Sequence, residues 1–174
     1  MSAPAWLPER LYEFWAADEL SLFRALIVGE AAGEPYIGQL AVAYAAANRK
    51  RFAAMSRLPW FHPDSHRDNI LARDQFSCFW GTNWKKRAGA MRLALVLPER
   101  FPVADHAARA CLDGTEPDPT IGLDGVGADH YYAPESCPKP SWAVDQFNAD
   151  GSFARLGFVR TVRLGRHDFH SSWV

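Results

Sequence analysis

A chain of 174 residues with 48% hydrophobic and 22% charged side chains suits a globular domain with a real core, not a disordered or fibrous protein. Its formal net charge of -1, with no Lys/Arg run that stands out as a nucleic-acid tract, gives no electrostatic footprint for DNA or RNA and argues against a nucleic-acid partner. Three cysteines (Cys78, Cys111 and Cys137) without a C-x-x-C spacing read as neither a zinc site nor a disulfide framework.

The first twenty residues are interrupted by Glu9, Glu13, Asp18 and Glu19, so no secretory signal is expected. No apolar run is long enough to cross a bilayer. Pro4 to Leu20 places Trp6, Leu7, Leu11, Phe14 and Trp15 on one helical face, with a break near Asp18. Leu20 to Ala32 then reads as a second helix. Gly33 is the expected left-handed cap, and Pro35 fits the first turn of the next helix. From Ile37 through Leu40, Ala41, Tyr44, Ala45, Asn48 and Phe52 the best helical pattern of the chain runs to about Met55.

Leu58 to Asp74 holds two prolines, two histidines and three aspartates with little periodicity, and reads as a long surface excursion. Gln75 to Trp80 is a compact aromatic segment without helical period. Short helices are expected over Ala88–Leu97, stopped by Pro98, and over Val103–Asp113, capped by Gly114. Loops and short extended pieces fill Gly114 to Pro140. Thr161–Leu164 and His167–His170 flank Gly165-Arg166, the signature of a type II′ hairpin. The expected fold is α+β: one domain over 1–174, helix-rich at first, then loop-rich with a small antiparallel β-sheet.

Glu30 is the leading candidate for chemistry. It ends an aliphatic run, Leu26 to Gly29, and precedes the small residues Ala31 to Gly33. Apolar neighbours and the negative end of a helix both disfavour a carboxylate anion, as suits a proton donor. Glu34 sits where an acid starting the next helix is favourable, so a structural role is expected for it. Gln75, Phe76, Ser77, Phe79 and Trp80 offer an amide, a hydroxyl and ring faces of the kind that bind a sugar. The same types recur in Asp129-His130-Tyr131-Tyr132 and at Trp142, although aromatics in such numbers also fill cores. His62 and His66, with Asp64 and Asp68, are the main candidate metal ligands, but they share no helical face and no H-E-x-x-H pattern. No metal site and no cofactor is assigned.

Taken in order, these blocks resemble the SleB-type cell-wall hydrolases. Gly29-Glu-Ala-Ala-Gly-Glu34, Gly38-Gln39-Leu-Ala-Val-Ala43 and Asn48-Arg49 are similar to the opening of that family. Gln75-Phe-Ser77 is similar to its second block, His130-Tyr-Tyr132 with Pro134 to its third, and Gly165, His167 and Phe169 to its last. The likeness spans about residues 22–170. His170 stands where the family more often has Tyr.

The resemblance implies a lysozyme-like fold and lytic transglycosylase activity on peptidoglycan glycan strands, at the β-1,4 bond from N-acetylmuramic acid to N-acetylglucosamine. It puts the catalytic acid and base on Glu30 and the sugar cleft on Gln75, Phe76, Ser77, Tyr131 and Tyr132, with Trp80, His130 and His167 beside them. A single carboxylate suffices for that chemistry, whereas ordinary hydrolysis uses two. The rivals are a muramidase with Glu34, Asp74 or Asp129 activating water, a metal-dependent amidase or peptidase, and a non-catalytic glycan-binding protein. With no export signal or wall-binding repeat in view, the expected site of action is the periplasmic cell wall. It would be reached from the cytoplasm as an endolysin released through a holin, or as a virion-associated lysin.

Overall fold

Asp18 starts the helix on which the others pack. Its carboxylate accepts the Ser21 N–H at 2.8 Å, as an N-cap acid does, and α2 runs over Glu19–Ala31. The computed structural model describes residues 3–53, 65–81, 84–122, 125–144 and 158–172. Every residue of α2 from Ser21 to Gly29 is buried, which is why its sequence is apolar all round and not along one stripe. Arg24 is the exception in kind. It donates to Ala94 O and Asp105 Oδ1 at 2.5 Å each, to Ser21 Oγ at 3.1 Å and to Leu95 O at 3.2 Å. A buried guanidinium is tolerated only when its donors are filled in this way, and here the filling clamps α2 to α6 (Trp84–Val96) and α7 (Pro102–Asp113).

Upstream of α2, the expected helix from Pro4 is shorter than its pattern: a 3-10 turn over Glu9–Leu11 leads into α1 (Tyr12–Ala16). Downstream, α3 spans Tyr36–Phe52 with Pro35 as its N-cap residue, just ahead of the first turn. Met55 lies outside the described residues. A left-handed cap at Gly33 is not found: Ala32 closes α2 in a right-handed conformation and the φ of Gly33 is not positive. Gly33 instead provides room, since a Cβ there would come within 2.9 Å of the Arg166 guanidinium.

Two elements go against their sequence pattern. The second half of the expected surface excursion is core: α4 (His66–Leu71) buries Asn69, Ile70 and Leu71 completely. Ser65 caps it by accepting the Asp68 N–H at 3.1 Å. The polar turn His66-Arg67-Asp68 conceals the helix, and Ser-x-x-Asp was its one visible start signal. Gln75 to Trp80 likewise contains a single helical turn, α5 (Ser77–Trp80), set by burial of both Phe76 and Phe79. One turn is too short for a period to register. Helix α6 begins four residues ahead of its expected start at Ala88, and α7 closes on Gly114 in the left-handed conformation as expected.

The described strands form one sheet in the order β1-β4-β3-β2, from β1 (His130–Tyr132), β2 (Ala143–Val144), β3 (Phe158–Leu164) and β4 (His167–Ser171). Three strands are antiparallel and β2 adds a parallel edge, so the protein is α+β with a mixed sheet. Leu164 pairs with His167 across Gly165-Arg166, and only Gly165 of the two has positive φ (57°), as a type II′ turn requires. Helix α3 carries the sheet: Asn48 Nδ2 donates to Ala128 O at 2.8 Å and Arg49 Nε to Asp129 O at 2.9 Å, just before β1.

Glu34 fastens the hairpin to the start of α3. Its side chain is 1% exposed and accepts Arg166 Nε at 2.6 Å and Arg166 N at 3.0 Å. Burial opposes ionisation, but the Arg166 guanidinium and N–H outweigh it and hold the carboxyl below its ordinary value. A carboxyl lowered in this way adds stability above its unfolded value, near 4.5, and loses it as the pH falls through the folded value. Glu34→Gln should therefore cost about 1–3 kcal/mol at neutral pH in denaturant unfolding, with the gap to the native protein closing in strong acid. A gap that persists undiminished in strong acid would assign the loss to something other than this charge.

Candidate active site

The last turn of α2 brings Glu30 to the wall of a cleft of about 630 Å³, a size suited to sugar units. Helices supply one side, with Glu30 from α2, Arg49 from α3, Gln75, Phe76, Ser77, Trp80 and Gly81 around α5 and Arg87 from α6. The sheet and its loops supply the other, with Tyr131, Tyr132, Trp142, Arg166 and His167.

The Glu30 side chain is 8% exposed. Its flanks are apolar as the sequence suggests, but its oxygens meet donors. Oε1 accepts the backbone N–H of Cys78 at 2.6 Å and the Ser77 hydroxyl at 3.1 Å. Oε2 lies 3.3 Å from that hydroxyl and 3.7 Å from Arg87 Nη1. The carboxylate is thus oriented from two directions, by α5 and by α6. Close packing behind it completes the hold: a Cβ on Gly29 would come within 2.8 Å of Cys78 Sγ and Met91 Sδ.

Of the residues expected at the site, Glu30, Gln75, Phe76, Ser77, Trp80, Tyr131, Tyr132 and His167 all line this cleft. His130 does not. It opens β1, bonded through Nδ1 to Asp129 Oδ1 at 2.8 Å and 5.4 Å from the Trp142 ring. Strand alternation separates the two sets of rings. Tyr131 faces Phe76, His167 and Phe169, whereas His130 and Tyr132 face Trp142, with His170 against Tyr132 and Trp142. Trp80 is held by its indole N–H donating to Leu71 O at 3.3 Å, with Arg10 5.6 Å from its ring centre.

Sequence reasoning gave the arginines no role in the site, although Arg49 belongs to the family-like block Asn48-Arg49. Arg49 is 3% exposed, donates to Gln75 Oε1 at 3.1 Å and lies 4.2 Å above Phe76, so it sets the amide and ring that line the floor. Burial lowers it to about 10, with Tyr131, Asp129 and Glu30 opposing the shift, and it stays charged at neutral pH. Its place in the buried stripe with Ala45 and Phe52 was a usable signal. Arg87 follows Lys85 and Lys86 and looks like part of a solvated run, which hid it.

Burial also fixes the proton states around Glu30. It pushes the Tyr131 phenol and the Cys78 thiol well above their ordinary values, with Glu30 adding to both. It lowers the His167 imidazole against the pull of Glu34 and Glu30, and lowers His130 against the pull of Asp129. At neutral pH the cleft therefore presents a neutral hydroxyl at Tyr131, whose oxygen is buried and makes no hydrogen bond among the described residues.

The three other acids considered for the site are placed differently. Asp129 is fully buried, accepts from Ser172 N at 3.0 Å and from Ser172 Oγ, and does not line the cleft. Glu34 lines it but is committed to Arg166. Asp74 stands at its lip with a side chain 77% exposed. Among the candidate metal ligands, His66 Nδ1 lies 2.6 Å from Glu19 Oε1, Asp68 belongs to the first turn of α4, and His62 and Asp64 fall outside the described residues. Among the described residues there is no group of three or more His, Cys, Asp or Glu side chains able to hold a metal ion, and no helix long and apolar enough to cross a membrane.

No curated protein and no solved structure matches the chain. The model of the family described as Cell Wall Hydrolase matches residues 33–169, well over half of the sequence. That span takes in the cleft-lining blocks of α5, β1 and β4 and begins three residues after Glu30. The chain belongs to the SleB-type cell wall hydrolase family.

Proposed function

We propose that this cell wall hydrolase cuts the glycan strands of peptidoglycan as a lytic transglycosylase, with Glu30 as acid and then base. The observation that carries the reading is the contrast among acids: one carboxylate is desolvated and oriented inside the cleft, while the other acids that line it among the described residues are tied to Arg166 (Glu34) or stand exposed at its lip (Asp74). Glu30 is 8% exposed and held by Ser77 and Cys78, Glu34 is tied to Arg166, and Asp129 is buried away from the cleft. A hydrolase with two working carboxylates needs the second one to activate water. A transglycosylase does not.

In the first step the protonated carboxyl of Glu30 gives its proton to the glycosidic oxygen. The bond from that oxygen to C1 of the muramic sugar breaks, its electron pair leaves with the oxygen, and C1 acquires oxocarbenium character. The 6-hydroxyl of the same sugar then attacks C1 and passes its proton to the Glu30 carboxylate. A 1,6-anhydro end forms, water is not consumed, and the acid is regenerated. Gln75 and the Tyr131 hydroxyl provide hydrogen-bonding groups for the sugars, while Phe76, Trp80, Tyr132 and Trp142 provide ring faces.

The products test the reaction directly. Mass analysis of digested peptidoglycan should find anhydro-muramic ends. Reducing ends would instead favour a muramidase, with Asp74 as the acid then available to activate water, and cuts confined to the peptide stems would favour an amidase or peptidase. Trp80→Ala should raise KM roughly fivefold, about 1 kcal/mol of lost ring contact, with kcat less affected. An unchanged KM would take Trp80 out of the binding surface.

A further inference from the structure

Glu30 stands one residue from the end of α2, where the carbonyl groups of a helix lose their partners. One of them, Gly29 O, accepts Arg87 Nη1 at 2.7 Å, and the same nitrogen lies 3.7 Å from Glu30 Oε2. Arg87 comes from the first turn of α6, whose Met91 and Ala94 are fully buried, so the helix is fixed against the core. A guanidinium is planar and permanently charged. Anchoring it on a main-chain carbonyl therefore fixes where its charge lies relative to the carboxylate next along the chain.

Among the described residues, the other ionisable groups that face Glu30 are Arg49 on α3, Cys78 on α5, Tyr131 on β1 and His167 on β4. Burial leaves the thiol and the phenol protonated and the imidazole neutral, so these three bring no charge at neutral pH. Arg49 is charged and acts on Glu30 from a longer range, with its Nε donating to Asp129 O and its Nη1 to Gln75 Oε1. Among the described residues, Arg87 is the cation at ion-pair distance from Glu30. The two carboxylate oxygens are in consequence unequal. Oε1 is taken by the Cys78 N–H, while Oε2 faces Arg87.

We propose that Arg87 is the positioning residue for Glu30, holding the carboxylate so that Oε2 is the oxygen that gives the proton to the glycan and takes one back. This rests on the reading of Glu30 as acid and then base. Arg87 exchanges no proton itself. Its charge faces Oε2 when the proton has left, and so supports the anion that waits for the 6-hydroxyl.

The test is the pH dependence of kcat/KM on purified peptidoglycan for the native protein, Arg87→Gln and Arg87→Lys, each checked for folding by thermal melting. Without the cation the acid keeps its proton to higher pH, so the alkaline limb of Arg87→Gln should move up by about one unit. Arg87→Lys, which keeps a charge on a long stem, should stay with the native profile. Should the glutamine variant fail to fold, Arg87→Met repeats the measurement with the packed stem retained. A limb that does not move in a folded uncharged variant, or that moves as far in Arg87→Lys, overturns the proposal. Glu30→Gln measured alongside separates the two levels. Full turnover in that variant defeats the acid-base reading itself, while an inactive Glu30→Gln with an unmoved Arg87→Gln limb defeats only the role of Arg87.

Discussion

The hydrogen bond from Cys78 N to Glu30 Oε1 joins the two parts of the helical half that must agree for the cleft to exist. One end belongs to α2, buried at every residue from Ser21 to Gly29, and the other to the single turn α5 at the edge of the cleft. The carboxylate cannot take its place unless Phe76 and Phe79 are buried and the turn between them forms. In the opposite direction, α5 has a polar anchor because α2 delivers an acid at that height. Gly29 allows the contact, since any side chain there would push Cys78 away.

Charge is distributed over the fold by the same logic of filled partners. Arg24 clamps α2 to α6 and α7, Arg49 clamps α3 to the entry of β1, and Arg166 clamps the hairpin to Glu34. Each of these cations is either buried or paired with a buried acceptor, so each acts on the position of a helix or strand. Arg87 differs, because its main-chain anchor and its neighbouring carboxylate belong to adjacent residues of α2. A net charge of -1 hides this arrangement, which is visible only in where the charges lie.

Much of the helical half was legible, because long buried or amphipathic helices leave a period in the sequence and α3 and α7 do so clearly. The place of Glu30 at a helix end beside a cleft was legible for a different reason: an acid between an aliphatic run and three small residues is conspicuous. The short elements were not. In α4, Ile70 and Leu71 follow a polar turn, and in α5 one turn leaves no period, so burial alone defines both. The cap expected at Gly33 failed because the residue serves the approach of Arg166, a partner 133 positions away that no local pattern encodes. His130 was grouped with its neighbours in sequence, but its ring turns to the face opposite Tyr131, packs against Trp142 and Asp129, and does not line the cleft.

The proposed chemistry depends on one carboxylate that is desolvated and oriented by a main-chain donor, with no second acid held in the same way among the described residues of the cleft. The most direct measurement is the release of soluble glycan fragments from purified peptidoglycan by Glu30→Gln, at a temperature where its melting curve matches that of the native protein. The amide keeps the shape of the side chain but can neither give nor take the proton. Loss of at least about 100-fold in turnover is expected. Turnover within a few-fold of the native protein, with the fold intact, would contradict the account.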